Sequence, residues 1–177
     1  MKFSILSTIL AAASVTQATI NWTLEKAANP TADETEAYGK IEEVMTLAAA
    51  RHARLGTAEK TIRVLYTPGV PTAEANTDGV LRFGASRDFM TERTALHEIS
   101  HTLGVGLTPA FNSKCASGDW PTALPLLRSW NGDDAKIECG GKHFWPLGLN
   151  YENEWSEEAG DHHVLMINAM LADGMAA

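Results

Sequence analysis

Residues 91–106 read TERTALHEISHTLGVG, and inside them His97-Glu98-Ile99-Ser100-His101 sets two histidines one helical turn apart. Positions four apart lie about 40° apart around a helix, so both rings point the same way and can grip one ion. Glu98, next to the first histidine, is placed to take a proton from a water on that ion. Leu96, Ile99 and Leu103 form an apolar stripe on the opposite side of the same wheel. One side of this helix is therefore expected in a core and the other in a cleft. Few local patterns constrain a fold as strongly.

The rest of the chain supplies what such a helix needs. With 177 residues, 45% of them hydrophobic and 20% charged, it has the make-up of one ordinary globular domain. The net charge of −8, with no Lys/Arg block, argues against nucleic acid and against an anionic membrane surface as partners. Residues 1–18 differ in character from the remainder of the chain. Lys2 precedes an apolar run from Phe3 to Val15, and Thr16-Gln17-Ala18 offers small residues at a cleavage site. This is the pattern of a secretory signal peptide, too short to span a bilayer, and it leaves residues 19–177 as a single extracellular domain, expected to be a monomer. In an exported chain the two cysteines, Cys115 and Cys139, are expected to form one disulfide. Asn21-Trp22-Thr23 fits a glycosylation sequon.

Ile20 to Lys26 alternates apolar and polar residues as a half-buried strand does. Thr31 to Leu55 has helical periodicity with acids near its start, and Gly56 closes it. His52 falls on its apolar side and reads as a packed histidine. Thr61 to Tyr66 is a β-branched strand, residues 68–79 a loop, and Val80 to Phe83 a short strand leading to the HExxH helix, whose N-cap is Thr91. That short strand could offer a free edge to an extended peptide. Beyond Gly106 the prolines limit regular structure, with one short helix expected between Trp120 and Trp130. GGKHFWPLGLN, residues 140–150, reads as a loop. Asp161 to Ala172 reads as a buried helix capped by Asp161, with Met166 and Met170 in the core.

A catalytic zinc takes three protein ligands and leaves one position open. His97 and His101 are two. His143 is the first choice for the third, because a Cys115–Cys139 bridge would tie its loop to the segment leaving the HExxH helix. Glu152, Glu154, Glu157 and Glu158 come next as candidates, then His162 and His163. Tyr151, just after the His143 loop, is the candidate donor for a tetrahedral oxyanion.

Through residues 91–104 the chain resembles the zincin-fold zinc metallopeptidases. Gly104 extends the match to HExxHxxG, the opening of the metzincin pattern, but Leu107 stands where that pattern has its third histidine. The later half, HFWPLGLNYENEW followed by HHVLMINAML, is similar to a group of secreted microbial proteins with a metallopeptidase-like domain, some of which carry lectin modules. The resemblance implies an α+β, zincin-like fold. A small twisted sheet with an N-terminal helix and the HExxH helix would be followed by an irregular, disulfide-linked part ending in a buried helix. It also implies hydrolysis of protein or peptide substrates by a Zn2+-bound water activated by Glu98. The competing expectations are a secreted zinc-binding effector without turnover and a zinc hydrolase acting on a non-peptide bond.

Overall fold

A computed structural model describes residues 19–176, so the expected leader at residues 1–18 lies outside the described residues. The elements run β1 (Thr19–Glu25), α1 (Ala32–Leu55), β2 (Glu59–Tyr66), β3 (Ala73–Ala75), β4 (Val80–Phe83), α2 (Glu92–Thr102), α3 (Pro109–Ser117), α4 (Ala123–Asn131), β5 (Glu138–Gly140), β6 (His143–Trp145) and α5 (Glu157–Ala172). The architecture is α+β: a four-stranded mixed sheet, an N-terminal helix, and a disulfide-linked C-terminal region that holds a two-stranded sheet and ends in a helix. Among the described residues no helix is long and apolar enough to cross a membrane.

The long first helix starts where the acids of its first turn predict. Thr31 caps it through a capping box: the Glu34 N–H donates to Thr31 Oγ1 and the Thr31 N–H donates to Glu34 Oε2. It connects two parallel strands, β1 and β2, and its Ile41, Met45 and Ala48 are fully buried. The sheet order is β1-β2-β4-β3, with β4 parallel to β2 and β3 antiparallel to β4. Helices α1 and α2 pack against the sheet and against each other, and α5 packs on both of them. Ile62, Val64, Leu81 and Phe83 of the sheet meet Leu96 and Ile99 of α2 in one core, which Val164, Met166 and Met170 of α5 complete.

The structure differs from the sequence expectations at four places. The segment 68–79 contains β3, which covers β4, so the sheet edge on that side belongs to residues 73–75. Residues 109–117 form a helix, because Pro109 occupies its first turn, where a proline costs no hydrogen bond, and Thr108 caps it. The loop 140–150 begins as a strand: β6 pairs antiparallel with β5, matching Gly140 with His143. The last helix begins at Glu157 and is capped by Ser156, not Asp161. Asp161 instead binds Arg54 and Arg51 of α1.

Candidate metal centre

Thr91 caps α2 as its sequence predicts, with its hydroxyl accepting from the Thr94 N–H. Every residue from Arg93 to Thr102 is buried: Leu96 and Ile99 lie in the core, while His97, Glu98 and His101 line a cleft, the two-sided arrangement that the sequence leads one to expect. Its imidazoles reach the floor of a cleft of about 440 Å3. Thr72 to Ala75, Gly141 to His143, and Arg93 and Asn150 line it as well.

The chain then turns back on the helix. Gly104 and Gly106 both have positive φ, 122° and 68°, which non-glycine residues reach only with strain. The turn aims the Val105 carbonyl at His101, whose Nδ1–H donates to it at 2.9 Å. A Cβ on Gly106 would come within 1.8 Å of the Lys142 carbonyl oxygen. Only glycine lets the Gly141-Lys142 turn approach so closely, and His143 is the next residue. The Cys115–Cys139 disulfide holds α3 to β5, the partner strand of β6. Turn, glycine and disulfide together deliver His143 to the HExxH helix.

His97, His101 and His143 each offer a ring nitrogen, and the three nitrogens lie within 4.8 Å of one another. The Nε2 atoms of His97 and His101 are 3.1 Å apart. His97 Nδ1 faces the Gly148 carbonyl at 2.8 Å, as His101 Nδ1 faces Val105. A carbonyl only accepts, so each Nδ1 carries the proton and each Nε2 presents a bare lone pair. Two lone pairs aimed at one point repel, and a cation between them removes the repulsion. Burial and the neighbouring His101 bring the His97 pKa down to about 3. Burial also lowers His101 and His143. Neutral imidazole is the form that ligates metal. The donor set therefore fits a divalent ion that favours nitrogen.

Glu98 lines the same cleft, buried, and its Oε2 has no hydrogen-bond partner among the described residues. Burial first, then repulsion from Glu74 on β3, pushes its pKa up to about 8, against the pull of Arg93. A cation held by the neighbouring histidines favours the carboxylate form.

The other third-ligand candidates are committed elsewhere. Glu152 binds Arg93, Glu154 accepts from the Asn150 N–H, and Glu157 binds Arg51. Glu158 is exposed and lies 4.0 Å from His162, whose ring stacks on Trp130 at 3.8 Å between centroids. His163 is fully buried between the carbonyls of Leu147 and Leu96. Tyr151 is 62% exposed and does not line the cleft. Arg93, one turn before His97 on α2, escaped the sequence reading although its spacing puts it on the same face. So did Glu74 and Lys142, which only the fold brings to the cleft.

Comparison with protein-family models, with curated proteins and with solved structures returned no match.

Proposed function

We propose that the three histidines bind zinc and that the chain is a secreted, zincin-like metallopeptidase. The observation that carries this reading is one juxtaposition: three converging imidazole nitrogens beside a buried carboxylate with an unpartnered oxygen, in one cleft. His97, His101 and His143 would hold the ion. Zinc bound there would supply a Lewis acid that polarises a carbonyl and lowers the pKa of water.

The chain's own groups do the remainder. Glu98 accepts the proton of the attacking water at Oε2 and returns it to the leaving nitrogen, as a general base and then a general acid. The surrounding wall keeps solvent off that carboxylate and strengthens its interactions. Strand β3 has one unpaired edge and lies along the cleft, so an extended peptide can add to it through main-chain hydrogen bonds. A peptide held there passes Glu98.

A second reading, zinc binding without turnover, shares everything except the role of Glu98. It is favoured by Tyr151, the oxyanion donor suggested by the sequence, standing exposed outside the cleft lining. Metal analysis joined to proteolysis of a denatured protein mixture separates the two. The peptidase reading expects one zinc per chain in both wild type and Glu98→Gln, with cutting only by wild type. One zinc and no cutting by either form selects the binding protein.

A further inference from the structure

Three successive carbonyls after β6 point at three different side chains. Leu147 O receives His163 Nδ1 at 2.7 Å, Gly148 O receives His97 Nδ1 at 2.8 Å, and Leu149 O receives Arg93 Nη1 at 2.7 Å. The fan is possible because Leu147 and Leu149 both have positive φ, 69° and 55°. Both are leucines, whose Cβ makes that conformation a strained one. Something must hold them in place.

The holding groups come from two helices. Arg93 is 6% exposed and uses three nitrogens: Nη1 to Leu149 O, Nε to Glu152 Oε2 at 2.8 Å, and Nη2 to Thr94 Oγ1 at 3.1 Å. It therefore clamps the loop on both sides of Asn150 and Tyr151, and it stands on α2 one turn from His97. His163 anchors the other end of the fan from α5. Between the two anchors lies the carbonyl that fixes the proton of His97 on Nδ1.

We infer that Arg93 is a positioning residue of the metal centre: by clamping Leu149 and Glu152 it holds the Gly148 carbonyl on His97, and so sets which nitrogen His97 presents. This rests on the reading of the three histidines as metal ligands. The guanidinium sits in the cleft wall, but its role is exerted through the loop. A rigid fork is needed because two acceptors from one loop must be held at fixed separation. Lysine, a single flexible point charge, can satisfy only part of this set.

The test uses the full chain and three variants: R93Q, R93K, and V44A as a control in the core of α1, away from the loop. Zinc affinity is measured by competition with a chromophoric chelator, and thermal unfolding in excess chelator gives the stability of each fold. Nitrogen-15 spectra of the imidazoles report which nitrogen of His97 carries the proton, independently of any activity. Orienting partners of metal ligands are worth about 10–100-fold in affinity. R93Q is expected to lose tenfold or more, R93K less, and V44A none despite lower stability. His97 should be in the Nδ1–H form in wild type and V44A, and in a mixture of forms in R93Q. Zinc affinity at the wild-type level in R93Q, with His97 still Nδ1-protonated, overturns the inference alone. Equal affinity losses in R93Q and V44A, scaling with stability, overturn it as well, because the role is then only structural. Failure of wild type to bind zinc overturns the metal reading and this inference with it. Should R93Q not fold, R93K carries the same comparison.

Discussion

The Gly106 Cα and the Lys142 carbonyl are packed so closely that a methyl group on Gly106 would lie 1.8 Å from the Lys142 oxygen. This contact joins the turn leaving the HExxH helix to the turn that carries His143. It explains how a histidine over forty residues away in sequence reaches two that lie on one helix. Gly106→Ala should therefore injure both stability and metal binding. The backbone at φ 68° adds strain to the clash, and about 1–3 kcal/mol of destabilisation is expected. Thermal unfolding and zinc titration of the same variant read the two effects. Stability lost with zinc affinity intact would show that the contact does not place His143.

The ligand assignment has its own test. His143→Ala should remove stoichiometric zinc, because two imidazoles remain and the third nitrogen of the cluster is gone. Glu154→Ala should bind zinc as wild type does, since its Oε2 accepts from the Asn150 N–H and takes no place in the cluster. Metal content after dialysis measures both. Zinc loss in Glu154→Ala alone would transfer the third ligand to the carboxylate.

How much of this was legible in the sequence depended on whether side chains or main chain carry the information. His97, Glu98 and His101 declare themselves because helical spacing alone makes them neighbours. The pairing of Cys115 with Cys139 came from there being only two cysteines. Helix α1 was legible from its periodicity, and β2 from its β-branched residues. Strand β3 was not: Ala73-Glu74-Ala75 lacks strand propensity and exists because β4 lies beside it. Helix α3 was hidden because it buries only Phe111, so no apolar stripe marks it. The start of α5 was missed because Gly160 interrupts the pattern. It packs against the Trp155 ring, where a Cβ would sit 3.0 Å from Cζ3. The least legible part was the support of the site. Val105, Gly148 and Leu149 act through their carbonyls, and a carbonyl's direction leaves no trace in residue type.

Reduction of the disulfide should loosen the site before it unfolds the domain. Cys115 and Cys139 are separated by 24 positions, for which loop closure is worth about 3–4 kcal/mol. The double variant Cys115→Ser/Cys139→Ser should lower stability by that order. It should also weaken zinc binding, because β5 is the partner of the strand that carries His143. Chelator competition under reducing and oxidising conditions gives the comparison. Unchanged affinity on reduction would mean that the Gly106 contact suffices.

Acid should destabilise the fold through a histidine that the site does not use. His52 of α1 is fully buried, and neither ring nitrogen has a hydrogen-bond partner among the described residues. Burial, and then the nearby His163, brings its pKa down to about 3 from the usual 6.5. Between those values the unfolded chain binds a proton that the folded chain refuses, so stability falls as pH drops below about 6.5. The slope from this one group is at most about 1.4 kcal/mol per pH unit, and the loss ends near the folded pKa. Above that window the histidine is neutral in both states and contributes no pH dependence. The substitution His52→Leu removes both the proton site and the unpaired N–H, whose burial costs about 1–3 kcal/mol. The variant should therefore be at least as stable as wild type at about pH 7.5 and should lose less stability at about pH 5. Chemical denaturation in excess chelator at the two pH values keeps metal release out of the measurement. An identical loss between the two pH values in both proteins would place the acid sensitivity at another group, with His163 the first to substitute.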